Sequence, residues 1–331
     1  MQSQNSEAVL DAVIVGCGRI GGGLPETWSV EGIPSHAAAY HRHPDFHLAA
    51  CVDPDTVRRE GFMQQWGVAA GFATLAELAG SGLSFDVASL CTPTGLHEDG
   101  LRELLRTHAR AVWCEKPLTA DYRRSQELAD AYRGAGKLLA VNHLRRWQPA
   151  MRKLADELAA GEHGAIRSIT GFYNRGIRNN GSHMIDLIHM LSGRSRPIAA
   201  RIARTDLDPG DPTVDALLEG KGGFPVHLVS SDGRDFAYFE LEIVTAKGVI
   251  RVEQGGREIR RRPVSDDPDS PGYRLPGGGS FEGTETGDVF LRAAQNLYGA
   301  VVNGETLASS AASAIDAEQI CDILLEMAGA A

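Results

Sequence analysis

The sequence predicts an α/β fold in two parts: an N-terminal doubly wound parallel sheet, then an α+β part built on an open, mostly antiparallel sheet. Three observations carry that reading. Short apolar runs alternate with helical stretches from Ala12 to Val141, and a glycine-rich turn directly follows the first run. From Ile166 onward strand patterns recur without regular helices between them. Alternating strands and helices build parallel sheets, whereas successive strands with one wet face build antiparallel ones.

Ala12-Val13-Ile14-Val15 is too brief for a helix and β-branched enough for a buried strand. Gly16-Cys17-Gly18-Arg19-Ile20-Gly21 follows at once, the setting a dinucleotide fingerprint requires. Gly16 permits the tight turn, Gly18 lets the backbone approach a pyrophosphate, and Gly21 lets the next helix pack closely, with Arg19 and Ile20 inside the turn. These features predict a Rossmann dinucleotide-binding domain. Its second strand, His47 to Val52, ends on Asp53, an acid that comes later than the usual spacing of about 20 residues. The stretch from Gly22 to Pro34 cannot continue a helix and Ser35-His36-Ala37 can begin one, so about a dozen residues read as inserted. The insertion is either a loop over the cofactor phosphates or substrate entrance, or a passive surface excursion. Asp53 suits a ribose 2′-hydroxyl and repels a 2′-phosphate, so NAD is expected over NADP; Arg58 and Arg59 sit too far along to reverse that.

A helix is predicted from Thr56 to Trp66, then Leu75 to Ala79, then a strand from Asp86 to Cys91 that stops at Thr92-Pro93-Thr94 before a helix from His97. The next strand, Ala111 to Cys114, runs into Glu115-Lys116-Pro117. Ligands of open parallel sheets bind at the carboxyl ends of the strands, so Thr92 to Thr94, Glu115 and Lys116 lie on the cofactor edge. A desolvated lysine changes its proton affinity readily, and the proline stiffens the turn that holds it. The bland alternative is a strand-end lysine in water. A helix from Tyr122 to Gly134 leads to the strand Leu138 to Val141, tipped by Asn142-His143-Leu144-Arg145-Arg146. The boundary is placed after residue 120, giving a Rossmann domain over 1–120 and a substrate-binding and oligomerisation domain over 121–331. In the second domain Pro149 to Ala160 is helical, Ile166 to Tyr173 is a strand, and Phe239 to Ile243 and Val249 to Glu253 form a hairpin about Lys247-Gly248. Arg257 to Arg262 reads as a solvated strand edge, Ser265 to Gly279 as a long loop, and Val289 to Val302 and Ala311 to Met327 as closing helices.

The 331-residue chain is 43% hydrophobic and 23% charged, a globular composition long enough for two domains. Its net charge of −10 argues against nucleic acid, and no stretch is apolar enough to span a membrane. Met1 to Glu7 lacks the basic and apolar regions of a secretion signal, and five cysteines without a C-x-x-C pair suit a reducing compartment; a cytoplasmic enzyme is expected.

Four motifs in order give the chain its family resemblance: Gly16 to Gly21; Cys91-Thr92-Pro93-Thr94 with His97; Glu115-Lys116-Pro117; and Gly181-Ser182-His183-Met184-Ile185-Asp186. Over essentially its whole length the chain resembles the glucose-fructose oxidoreductase/inositol dehydrogenase (Gfo/Idh/MocA) family. The resemblance implies an NAD-dependent oxidoreductase acting on a secondary alcohol, at C3, of a sugar, sugar phosphate or nucleotide sugar. It places Lys116 as acid/base and His183 at the catalytic histidine. The family's helix motif reads Asp-x-x-x-His-x-x-Asp, and Asn179 stands where its first aspartate belongs. An asparagine orients a ring or hydroxyl but supplies no charge to an imidazolium, which shifts the proton transfer towards Lys116. The expected cofactor contacts are Gly16, Gly18, Arg19, Ile20, Gly21, Asp53, Thr92, Pro93, Thr94, His97, Glu115, Lys116 and Asn142. The expected substrate contacts are Lys116, His143, Arg145, Arg146, Asn179 and His183, the two arginines being equally suited to a helix start or the surface. His183, Asp186 and His189 step around the helix rather than sharing a face, so no metal is expected. A homodimer or homotetramer is expected, the second subunit covering the polar face of the second sheet. Redox-assisted elimination with tightly held NAD, reduction of another carbonyl or imine, and a silent NAD-sensing regulator are the other readings.

Overall fold

The computed structural model describes residues 8–23 and 35–329. The chain divides into two compact units, one comprising the N-terminal part to Trp147 with Gly287–Ile315, the other Gln148–Thr286 with the residues from Asp316 on. The first unit contains β1 (Leu10–Val15), α1 (His36–Arg42), β2 (Phe46–Val52), α2 (Thr56–Trp66), β3 (Ala70–Phe72), α3 (Leu75–Gly80) and β4 (Val87–Leu90). It continues with α4 (His97–Leu105), β5 (Ala111–Cys114), α5 (Tyr122–Gly134) and β6 (Leu138–Val141). All five strand pairings are parallel, in the order β3-β2-β1-β4-β5-β6. The order reverses between β1 and β4, and the crevice of such a sheet opens outside the strand carboxyl ends at that point. Side-chain caps start the helices: Ser35, Asp55, Thr74 and Asp121 each accept a backbone N–H from the first turn that follows.

The insertion interrupts one helix. Gly22 and Gly23 N–H both donate to Gly18 O, closing a turn, and His36 and Ala37 N–H then donate to Ile20 O and Gly21 O at 3.1 Å. α1 therefore takes up the helix where the fingerprint turn leaves it. The reading of residues 22–34 as a functional loop falls, from Leu24 on, outside the described residues.

The second unit holds α6 (Pro149–Ala159), β7 (Ile166–Tyr173), a six-residue π-helical turn (Gly176–Gly181), α7 (Ser182–Ser192), β8 (Arg196–Arg204), β9 (Thr213–Glu219) and β10 (Pro225–Ser230). β11 (Phe239–Thr245), β12 (Gly248–Glu253), β13 (Glu258–Asp266), β14 (Arg274–Pro276) and β15 (Ser280–Gly283) complete it. The sheet runs β14-β13-β12-β11-β7-β10-β9-β8, with β15 on β13, and only the β7–β10 pairing is parallel. The 3.6-residue spacing of Met184, Ile185, Leu187, Ile188 and Leu191 turns α7 onto one face of this sheet, against Ile169, Leu228, Leu241 and Ile243.

The structure corrects three details. The turn between β11 and β12 is Ala246-Lys247, with Gly248 opening β12; a Cβ there would lie 2.4 Å from Arg262 O. The arginine run is no edge: β13 is paired on both sides, and Arg260 and Arg261 meet Glu253, Glu157 and Glu282. The Ser265–Gly279 stretch contains the end of β13 and all of β14. The boundary after residue 120 also falls inside the first unit, because β6 hydrogen-bonds to β5. The chain then returns to that unit through α8 (Val289–Asn303), whose Phe290, Ala293 and Leu297 share a core with Ala37, Tyr40 and Trp113. α9 (Ala311–Met327) is the last helix.

Leu241 is 1% exposed at the centre of the second core. Leu241→Ala is expected to cost about 3 kcal/mol, the transfer and cavity terms together, as measured by denaturant unfolding.

Candidate active site

The carboxyl edge of the parallel sheet is shaped first by sterics. Gly16 has φ +96°, and a Cβ there would lie 2.8 Å from the Cys91 carbonyl; at Gly21 it would lie 2.1 Å from Gly16 O. β1, the following turn and the end of β4 thus meet at backbone distance. Gly18 differs: nothing lies within 4 Å of where its Cβ would stand. The free space lies at the glycine whose role is to admit a phosphate. Ile20 is half-buried beside this turn and Arg19 is exposed.

Asp53 faces inward. Its Oδ2 accepts the Cys17 N–H and its Oδ1 the Asp55 N–H, both at 2.9 Å, and the side chain is 3% exposed. Arg58 places a guanidinium nitrogen 3.6 Å from Oδ2, and Arg59 donates to the Asp53 carbonyl. Sequence distance is therefore a poor guide here, since α2 brings both arginines back to the acid.

Four elements bring the remaining edge residues together. The β4 tip carries Thr92, Pro93 and Thr94, of which Pro93 is exposed. His97 opens α4 but is buried, its Nδ1 and Nε2 each 2.8 Å from a carbonyl oxygen, of Pro117 and Thr92 respectively. It lies between the Thr92 loop and the Lys116-Pro117 loop and bonds across them. At the β5 tip Glu115 accepts from His36 Nε2 at 3.0 Å and from Asn142 Nδ2 at the β6 tip. Burial pushes the Glu115 carboxyl up, but the hydrogen bond and electrostatic attraction of His36, the hydrogen bond from Asn142 and the charge of Lys116 outweigh it and hold the group below the ordinary glutamate range. Lys116 and its neighbour Pro117 are half-buried. His143 is buried, and Arg145 and Arg146 sit half-buried in the short helical turn Leu144–Trp147.

Two oxygens on this edge are buried and have no hydrogen-bond partner among the described residues, Thr92 Oγ1 and Asn142 Oδ1. Buried acceptors without partners are rare and mark a place for a ligand's donors. Together with the open space before Gly18, they fit a dinucleotide lying along the strand ends.

In the second unit, the π-helical turn precedes α7, so Asn179 lies in the turn and His183 in the first turn of the α-helix. Asp211 holds the segment by accepting the Arg178 and Asn179 N–H groups at 2.8 Å each. Burial raises its carboxyl above the ordinary aspartate range despite these bonds. Asn179 is exposed and donates to Arg175 O at 3.2 Å; His183 is half-buried. Asp186 is buried, and His189 bonds Ser195, so the three-residue series does not converge. Among the described residues no three His, Cys, Asp or Glu side chains cluster closely enough to hold a metal ion.

Sequence reasoning missed Asp211, whose only local signal is a turn-rich Asp-Pro-Gly-Asp-Pro run, and the bonding of His36, which was read only as part of a helix start.

Residues 10–143 match the profile of the GFO_IDH_MocA family, an oxidoreductase family with an NAD-binding Rossmann fold. Those residues form the Gfo/Idh/MocA family's NAD-binding Rossmann domain. Inositol 2-dehydrogenase of Rhizobium meliloti (strain 1021) is 23% identical over 334 residues, covering 93% of this chain and 94% of its own. An Agrobacterium radiobacter oxidoreductase, solved with NAD+, L-tartaric acid and magnesium, shares the fold with a TM-score of 0.78 at 17% identity, covering 97% of both chains. The WlbA dehydrogenase of Bordetella pertussis, solved with NADH and UDP-GlcNAcA, does so at 0.77 and 18%, covering 97% of this chain and 96% of its own. The protein is an enzyme, an NAD(P)-dependent oxidoreductase.

Two outcomes are expected from this geometry. Gly16→Ala should cost more than about 2 kcal/mol, from the positive φ and the backbone clash, whereas Gly18→Ala should unfold within about 0.5 kcal/mol of wild type and weaken NAD binding about tenfold, by titration calorimetry. Glu115 titrates lower in the folded chain than in the unfolded one, so its contribution to stability is complete above the ordinary glutamate range and is lost as pH falls through the folded value. Glu115→Gln should flatten the acid arm of the stability-against-pH curve; an unchanged arm would show that Glu115 is not held as an anion.

Proposed function

We propose that this enzyme oxidises a secondary alcohol of a sugar-like substrate, at C3 of a hexose, sugar phosphate or nucleotide sugar, with Lys116 as its acid/base. The observation that carries the reading is the lysine's placement: it follows an anionic Glu115 at the β5 tip, on the edge where Thr92 and Asn142 keep buried oxygens without partners among the described residues. NAD, when bound, supplies the acceptor for the hydride that leaves the carbinol carbon. The neutral Lys116 amine takes the hydroxyl proton as the C–O bond becomes a carbonyl, and in reverse its ammonium returns that proton. His183 and Asn179 are read as substrate hydrogen-bonding groups; Asn179 cannot add charge to an imidazolium, which leaves the proton to the lysine. The sugar class is supported by the inositol dehydrogenase relative and the nucleotide-sugar complex of WlbA.

Asp53 supports NAD over NADP, since its carboxylate repels a 2′-phosphate, and Arg58 beside it softens the preference. The polar, half-buried face of the second sheet supports a homodimer or homotetramer, and five free, buried thiols suit the cytoplasm.

The test is a screen of inositols, sugars, sugar phosphates and nucleotide sugars with NAD and with NADP, followed at NADH absorbance and repeated with Lys116→Met. The variant should bind NAD as wild type does and lose about a hundredfold or more in kcat. Near wild-type turnover in Lys116→Met would remove the lysine from the chemistry. Non-exchanging NAD without net NADH production would point to elimination instead.

A further inference from the structure

A line of buried polar side chains runs behind Glu115. Tyr40 Oη lies 2.8 Å from Ser89 Oγ, Ser89 Oγ lies 2.9 Å from His36 Nδ1, and His36 Nε2 lies 3.0 Å from Glu115 Oε1. Tyr40, His36 and Ser89 are wholly buried. The line therefore ends inside the fold and is no route for protons to solvent.

The order of its protons follows from what each group can do. A carboxylate only accepts, so His36 donates from Nε2. Burial pushes the Tyr40 phenol well above its ordinary range, so it stays a donor, and its partner is Ser89. Ser89, accepting from Tyr40, has its own proton for His36 Nδ1, which accepts it. With the protons in that order the imidazole is the Nε2–H tautomer. Its plane is fixed by Trp113, with ring centroids 3.9 Å apart, and by Phe290 at 5.5 Å.

We propose that His36 is a positioning residue: locked as the Nε2–H tautomer by Tyr40 and Ser89, it holds Glu115 as an anion beside Lys116 and so sets the pH at which the lysine exchanges its proton. The inference rests on the acid/base role of Lys116 and adds a residue that touches neither substrate nor cofactor. The other titratable groups about Glu115 are Lys116 on its own strand end, and the Cys91 thiol at the β4 tip and the Cys114 thiol before it on β5. Burial and the Glu115 charge push the Cys91 thiol up, so it stays neutral. Asn142, from β6, is the second donor to Glu115 and carries no charge.

The first arm of the test is heteronuclear NMR of the imidazole nitrogens in the cofactor-free protein at about pH 8, with His36→Gln to assign the signal. An Nε2–H tautomer is expected, and an Nδ1–H tautomer overturns the proposal. Tyr40→Phe, which keeps the ring and removes the donor, should lose the single tautomer; a tautomer unchanged in that variant overturns the ordering role.

The second arm is the pH profile of kcat/KM for alcohol oxidation. Without the His36 donor, Glu115 takes a proton more readily, Lys116 loses its anionic neighbour, and the acid limb of His36→Leu should move down by about one unit. Glu115→Gln should move it equally, and the double variant no further. A limb that stays in place in His36→Leu but moves in Glu115→Gln overturns the proposal. A limb that persists in Lys116→Met sinks the lysine's acid/base role instead, while the NMR arm still judges the His36 tautomer.

Discussion

The backbone contact at the start of the chain governs the cofactor edge. Gly16 turns with positive φ against the Cys91 carbonyl, and Gly21 packs its Cα on Gly16 O, with no room for a Cβ at either. That approach ties the tip of β1 to the tip of β4, the two strands between which the sheet reverses its order. Thr92 and the fingerprint turn are brought to one edge by this closeness, and Gly18 leaves its space free there. The same turn also starts α1, whose His36 and Ala37 N–H groups donate to the Ile20 and Gly21 carbonyls.

The second constraint is a charge that is mostly out of water. An ionised carboxylate in that position is costly unless donors compensate it. Glu115 has two, His36 from α1 and Asn142 from β6, and a lysine beside it. Strands β5 and β6 and helix α1 are thereby held to one group, next to the residue that the chemistry assigns to proton transfer. His97 lies between the two loops at this edge, its ring nitrogens each 2.8 Å from a carbonyl oxygen, of Thr92 and of Pro117. The loops on this edge are in this way held by buried histidines.

The second unit uses a buried aspartate for a similar end. Asp211 accepts two N–H groups of the π-helical turn, and a Cβ at Gly176 would lie 2.1 Å from its Oδ2. The turn sets Asn179 and His183 on the approach to and the start of α7, while the apolar face of that helix is fixed by the sheet. Two separable demands, packing and presentation, are met by one continuous segment.

Local sequence determined most of the elements, because periodicity, caps and glycine stops act within a few residues. Thr56–Trp66, Tyr122–Gly134, Leu138–Val141, Ile166–Tyr173 and Ala311–Met327 have the bounds their patterns predict. The glycine turn, Asp53 and the strand-tip lysine were legible for the same reason. What only the tertiary structure decided are pairings across long separations. β13 is an interior strand because β15 and β14 come back to it, and α8 joins the first unit from beyond the second. Arg58 reaches Asp53 through the pitch of α2, and His36 reaches Glu115 across 79 residues of chain. No periodicity encodes such contacts: they exist because parallel strands end on one edge, and polar groups buried there must satisfy one another.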